Sequence, residues 1–327
     1  MDLLSIKPNV VSRGVAGKYF LFYGDPSTRK TSVASLFPKA LLLATEIGYS
    51  MIPGIHAAPI KSWGEFREVV RELKRPEVQA AYQTVVIDTV GLLTDMCMKY
   101  VCDINSVKEL SEVPWGQGWT QFKKEFRTQM NTIAQLGYGI VFIAHSDTKR
   151  DNESGAIVSA VPMLDKKPRE SVIALVDFIL FLQKEPKDNN PEEITVYAYS
   201  KLQSSIESKT RARYLAPRFE FSFENLEVEI VKAIDMYEKE QAGSVTSNVI
   251  NHHVEIAAQG PTFEELKKQV LDIAGKLIND ADPDVKLQAS NQIAAIMKGV
   301  RVSETTQADH DKLATLKEAL LEIKEGN

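Results

Sequence analysis

Seven short apolar runs, KYFLFYG, KALLLATE, TVVIDTV, GIVFIAHS, VDFILFLQ, EITVYAYS and RFEFSF, alternate along the chain with longer amphipathic stretches. Runs that are apolar almost throughout suit strands covered on both faces, and the segments between them supply the covering helices. The pattern predicts an α/β core with a mainly parallel sheet flanked by helices. Helical spacing is plain in SWGEFREVVRELKR, where Phe66, Val69, Val70 and Leu73 fall on one face.

After Glu240 the pattern changes. AGSVTSNVINHHVEIAAQGPT has no sustained period and carries turn formers, so a domain over 1–240 is followed by a linker over 241–261. Beyond it, Thr262-Phe-Glu-Glu reads as a capping box, and three helical patterns with no further strand signal predict a helical domain over 262–327. Leu266, Val270, Ile273, Ala274 and Leu277, then Leu313, Leu316, Leu320 and Ile323, are its expected packing faces. From Pro261 onward twelve acids stand against nine bases, which disfavours a phosphate grip there.

Composition adds limits. The chain has 327 residues, 44% hydrophobic and 25% charged, enough for a sizeable core. A net charge of −5 and a pI near 5.7 exclude a generally basic nucleic-acid coat, so a nucleic-acid contact requires a local basic patch. Cys97 and Cys102 fit neither a zinc knuckle nor a redox pair and read as reduced core thiols. The start MDLLSIKPNVVSRG lacks an export signal and no run of about 18 apolar residues occurs, so a cytoplasmic protein without membrane spans is expected.

Candidate chemistry begins at Tyr23–Ser32, YGDPSTRKTS, between an apolar strand and the helical VASLF. A phosphate-binding loop asks for G-x-x-x-x-G-K-[ST] in this context, with backbone N–H groups around the phosphates, the lysine on the terminal phosphates and the hydroxyl on Mg²⁺. Gly24, Lys30 and Thr31 comply, and Asp25, Pro26, Ser27, Thr28, Arg29 and Ser32 complete the candidate nucleotide-binding segment. Arg29 stands where the motif places a glycine. The second and third runs end in Glu46 and Asp88, on the sheet edge where open α/β sheets bind ligands. Asp88 suits Mg²⁺ together with Thr31, and Glu46 suits activation of the attacking water. His145 ends the fourth run, where a polar group can sense the terminal phosphate.

Between Ser200 and Arg218 five bases, Lys201, Lys209, Arg211, Arg213 and Arg218, face Glu207 alone, which suits a developing phosphoryl charge or a nucleic-acid backbone. Two long connections are expected to be loops. DINSVKELSEVPWGQGW carries Trp115 and Trp119. The stretch Ser146–Glu170 carries Lys149, Arg150, Lys166, Lys167 and Arg169, balanced by five acids. Aromatic and basic residues together suit single-stranded nucleic acid.

The succession YGDPSTRKTS, LLLATEIG, a WGEF helix, TVVIDTVG, PWGQGW, GIVFIAHS and SKTRAR, over about residues 10–235, resembles phage-encoded RecA-like P-loop ATPases, the Sak-type single-strand annealing recombinases and related phage nucleotide-binding proteins. The resemblance implies a RecA-like core that binds ATP and Mg²⁺, assembles into a ring or filament and acts on single-stranded DNA in phage recombination or replication inside a bacterial host. It makes Glu46 the general base, Asp88 the Walker B acid and His145 a switch. Lys209 and Arg211 look like the pair such assemblies insert into a neighbouring protomer's site, and the two long connections correspond in order to DNA-binding loops. Ser27 and Arg29 depart from the family's glycines, which points to slower hydrolysis, an altered nucleotide preference or Arg29 as an added phosphate ligand. The C-terminal helices resemble adaptors that contact a single-stranded-DNA-binding protein. Two other readings stay open: a replicative helicase-like motor or loader on the same core, and a nucleotide-gated regulatory protein that does not hydrolyse.

Overall fold

The apolar runs become strands because both of their faces find cover. In the computed structural model, which describes residues 8–201, 205–249, 263–280, 282–306 and 309–325, a short strand β1 (Val11–Ser12) precedes β2 (Tyr19–Gly24), all six residues of which are buried. Side chains alternate across a strand. Tyr19, Leu21 and Tyr23 therefore enter one core layer, and Phe20 and Phe22 the other.

The chain continues through α1 (Lys30–Ala34), β3 (Ala40–Ala44), β4 (His56–Pro59), α2 (Trp63–Glu72), α3 (Pro76–Ala81), β5 (Thr84–Asp88), α4 (Val90–Asn105), α5 (Gln117–Gln135) and β6 (Gly139–Ala144). It then forms β7 (Ser146–Arg150), β8 (Ile157–Pro162), α6 (Lys166–Leu175), β9 (Phe178–Lys187), β10 (Asn190–Tyr199), β11 (Lys209–Thr210), β12 (Arg218–Glu220), α7 (Phe223–Glu240) and β13 (Val245–Thr246). The main sheet runs β12-β10-β9-β2-β6-β5-β3-β4, with β11 beside β9. From β9 to β4 every pair is parallel, while β10, β11 and β12 join antiparallel. Helices α2, α4 and α5 cover one face through Phe66, Leu93, Cys97, Phe122 and Phe126. Helices α1 and α7 cover the other through Val33, Ala34, Leu226 and Ile230. This is the expected α/β core of mainly parallel strands flanked by helices.

Helix α2 shows how local sequence sets a boundary. Ser62 accepts from the Glu65 N–H at 3.2 Å, and the Glu65 carboxylate accepts in return from the Lys61 N–H at 2.8 Å. Phe66, Val70 and Leu73 are then buried on the face that the spacing predicted. Both cysteines lie in α4 as buried free thiols, and burial pushes each thiol pKa up.

The two long connections are not loops. In the first, turns of 3₁₀ helix at Leu110–Glu112 and Pro114–Gly116 lead into α5, which already contains Trp119. In the second, β7 and β8 form an antiparallel hairpin and α6 follows. The hairpin is closed by Asp151, whose carboxylate accepts from the N–H groups of Glu153 and Ser154 at 3.2 and 2.8 Å. Ala160 anchors it, receiving the Glu207 N–H at 2.9 Å and donating to the Ser205 carbonyl at 3.2 Å. The charges on β7 conceal the strand period because that hairpin has one solvated side.

The chain divides into units 1–254 and 255–327. Within the expected linker, Val245 and Thr246 pair in parallel with Val11 and Ser12, and Glu238 accepts from the N–H groups of Gly243 and Val245. Residues 250–261 of that linker and the Thr262 cap lie outside the described residues. The second unit contains α8 (Phe263–Ile278), α9 (Pro283–Met297) and α10 (His310–Glu325). Leu266, Val270, Ala274, Leu277, Leu313, Leu316 and Leu320 are buried between them, with Ile273 and Ile323 partly buried at the margin. Among the described residues no helix is long and apolar enough to cross a membrane.

Candidate nucleotide site

The candidate residues meet because four neighbouring parallel strands end at one level. Tyr23 pairs with Ala144, Ile143 with Asp88, and Asp88 with Ala44. The phosphate loop after β2, Glu46 after β3, Asp88 at the end of β5 and His145 after β6 therefore share one edge of the sheet. Strand β6 lies between the loop strand and the Asp88 strand, so His145 emerges between them.

Gly24 is required by the sheet as well as by the loop. A Cβ there would collide with the carbonyl oxygen of Leu182, its partner on β9. The next residues turn sharply, with Ser27 at φ 62° and Arg29 at φ 60°. Both occupy the left-handed region that favours glycine, which explains why glycines are usual at the two positions where this chain departs. Arg29 is exposed and immediately precedes α1.

Lys30 points back into the loop. Its ammonium donates to the carbonyls of Gly24 at 2.8 Å and Asp25 at 2.9 Å and to Thr28 Oγ1 at 3.1 Å. Burial pushes its pKa down to about 8, with Lys184 adding to the fall and Asp88, Asp25 and Glu46 opposing it. Phosphate oxygens would replace those three acceptors with negative charge and favour the protonated ammonium. Thr31 Oγ1 donates to Asp88 Oδ2 at 2.6 Å. Asp88 is buried, and desolvation raises its pKa against the lowering effect of the Thr31 bond. A hydroxyl and a carboxylate at that separation, both hard oxygen donors beside a phosphate loop, fit Mg²⁺, which would keep several of its waters there.

Glu46 and His145 face each other, with His145 Nε2 3.5 Å from Glu46 Oε1 and both side chains 38% exposed. Thr45 holds the neighbouring turn: its hydroxyl accepts from the Thr89 N–H at 2.8 Å and donates to the Thr89 carbonyl at 3.0 Å. Neither Thr45 nor Lys184 stood out in the sequence, because a threonine and a lysine near strand ends carry no spacing signal.

The AAA_24 family, described as an AAA domain, matches residues 16–214, which contain every element just described. The chain belongs to this family. Its AAA domain has the fold of a P-loop ATPase, with the loop, the buried acid and the facing carboxylate on one edge. The SPbeta prophage-derived uncharacterized protein YorG of Bacillus subtilis (strain 168) is 27% identical over 313 residues, 94% of each chain. A KaiC-like protein, PH0186 from Pyrococcus horikoshii OT3, shows a TM-score of 0.36 at 12% identity, covering 63% of this chain and 86% of that one. The RadB recombinase shows 0.33 at 16% identity, covering 60% and 86%. Likenesses that low leave the assignment resting on the family match and on the strand order.

Of the remaining candidates only Arg150 lies beside the AAA-domain loop among the described residues. Lys209 and Thr210 pair with Ile179 and Phe178, at the beginning of β9, whereas the loop follows Gly24 opposite Leu182. Three to four strand residues, roughly 10–13 Å, separate the two levels. Lys209 donates to the Ile173 carbonyl at 2.8 Å, and Arg211 pairs with Asp177 at 2.7 Å. Burial, then the Arg211 charge, lowers the Lys209 pKa. Trp115 is 93% exposed, while Trp119 is half-buried with its ring edge on Phe122. Lys149 and Arg150 lie on β7, and Lys166, Lys167 and Arg169 on α6, so the expected DNA-contacting residues occupy separate elements. Arg150 is beside the phosphate loop, 3.7 Å from Asp25.

Proposed function

We propose that this AAA-domain protein hydrolyses ATP and acts on single-stranded DNA as a recombinase or annealing factor of phage type, in the manner of the Sak-type proteins it resembles. The observation that carries the ATPase part is the joint placement of Lys30, the Thr31–Asp88 pair and Glu46 at one sheet edge. The extension to DNA rests on the succession of motifs and on a prophage-derived relative that spans nearly the whole chain.

Each residue then has a task. Lys30 offsets charge on the terminal phosphates, and Thr31 and Asp88 hold Mg²⁺, which supplies further charge neutralisation when bound. Glu46 orients and deprotonates the attacking water, and His145, within reach of Glu46, reports the state of that site. Lys209 and Arg211 lie at the opposite sheet level from their own loop, which favours their serving a neighbouring protomer's site in a ring or filament. The exposed Trp115, Lys149 of β7 and the bases of α6 are the candidate DNA contacts, and the C-terminal helices are the candidate contact for a single-stranded-DNA-binding protein.

The test is the ATP hydrolysis rate with and without single-stranded DNA at fixed salt and several protein concentrations, for the parent and Lys30→Ala. Turnover that rises with DNA and with protein concentration and vanishes in Lys30→Ala is expected. ATP binding without turnover would instead favour a nucleotide-gated regulator, the reading that the non-glycine Arg29 also suggests. Strand displacement at a fork would favour a helicase-like motor.

A further inference from the structure

Asp25 is an unexpected residue at the mouth of a loop built to receive a polyanion, because a carboxylate there opposes phosphate charge. Its two ends are held by different parts of the molecule. The main-chain carbonyl accepts from Lys30 Nζ at 2.9 Å and from Thr28 Oγ1 at 2.9 Å. The carboxylate accepts from Ser146 Oγ at 2.6 Å through Oδ1 and lies 3.7 Å from the Arg150 guanidinium through Oδ2. Ser146 and Arg150 are the first and last residues of β7 and, four apart, share one face of it. Thr148, between them on that face, has a buried hydroxyl with no hydrogen-bond partner among the described residues.

We propose that Arg150 is a ligand of the nucleotide's terminal phosphate, held beside the loop by Asp25 until phosphate takes it. The proposal rests on the nucleotide reading of the loop. The Arg150–Asp25 pair is long and about half exposed on both sides, so it contributes little and is readily given up. A phosphate offers the planar guanidinium two oxygens in a fork and carries more charge than a carboxylate. A triphosphate attracts Arg150 and repels Asp25, so both forces favour the exchange.

The exchange reaches the hairpin. Strand β7 starts directly after His145, whose carbonyl receives the Met163 N–H at 2.9 Å, and β8 ends at Pro162. The hairpin therefore closes on the residue that faces Glu46, and its first strand is held to Asp25 at both ends. When Arg150 transfers to phosphate, the ties of β7 to the loop change, and nucleotide state alters the position of the hairpin that also carries Lys149.

The experiment titrates the full chain with ADP and with a slowly hydrolysed ATP analogue, for the parent, Lys30→Ala, Arg150→Ala, Arg150→Lys and Asp25→Asn. Arg150→Ala is expected to weaken the triphosphate roughly tenfold, equivalent to about 1.4 kcal/mol, and the diphosphate far less. Arg150→Lys should recover part of the loss, and Asp25→Asn should tighten the triphosphate several-fold. Hydrogen exchange across 146–162 should change with triphosphate in the parent and not in Arg150→Ala. Equal losses for both nucleotides, no loss at all, or weaker binding in Asp25→Asn would overturn the assignment of Arg150. A parent that binds neither nucleotide, with Lys30→Ala indistinguishable from it, would overturn the nucleotide reading itself and the Arg150 proposal with it.

Discussion

Arg29→Gly isolates the cost of the chain's main departure from the phosphate-loop pattern. Arg29 holds φ 60° and ψ 18°, where a residue with a Cβ is disfavoured by about 1–2 kcal/mol relative to glycine. Glycine removes that strain but adds freedom to the unfolded chain, a loss of about 0.4–1 kcal/mol. The Arg29 side chain is exposed, and its position before α1 contributes no side-chain cap, so little else is lost. The expected net effect is about 0 to +1.6 kcal/mol of stability, or a melting temperature raised by up to about 3–6 °C in a domain of this size. Arg29→Ala keeps the strain and loses the same charge, so it should lie below Arg29→Gly by that same margin, about 0 to 1.6 kcal/mol. Denaturant unfolding of the three proteins, read at constant m-value, measures the differences. Triphosphate titration of the same variants reads the charge separately: if Arg29 touches phosphate, both lose affinity equally. An Arg29→Gly protein less stable than Arg29→Ala would refute the strain argument.

Three further outcomes are expected. The pKa of Lys30 lies near 8 in the free protein, and bound phosphate favours the ammonium. Triphosphate affinity should thus be level below pH 8 and fall above it by up to about tenfold per pH unit as the free lysine loses its proton; titrations from pH 7.5 to 9.5 that stay level would rule this out. Gly24→Ala should cost about 1–3 kcal/mol or more, seen as a lower denaturant midpoint, because the new methyl meets the backbone oxygen of Leu182 and not a side chain that can swing away. Mixing Lys30→Ala with Arg211→Ala should restore part of the ATPase activity that each lacks alone, since a mixed interface joins an intact loop to an intact Arg211; mixtures no more active than their components would place Arg211 outside the reaction.

Much of the core is legible in the chain because burial on both faces leaves an unmistakable apolar run. All seven runs became strands, from β2 to β12, and the spacing of Phe66, Val70 and Leu73 marked the buried face of α2. Strands without that signature were not legible. His56–Pro59 is a sheet edge with little burial, and β7 reads as a charged loop, although Asp151 to Gly155 between TKR and IVSAV carries the turn chemistry that marks a hairpin.

For the site, local sequence determined the loop, its lysine and hydroxyl, and the acids at two strand ends, since a phosphate cradle needs those groups in a continuous stretch. Only the tertiary structure brought Glu46 to His145, Thr31 to Asp88 and Asp25 to Ser146 and Arg150, because those meetings depend on which strands lie side by side. It also separated Lys209 and Arg211 from their own loop by placing β11 against the beginning of β9. Strand order and register are set by how apolar faces pack across the whole sheet, and no single segment of the chain contains that information.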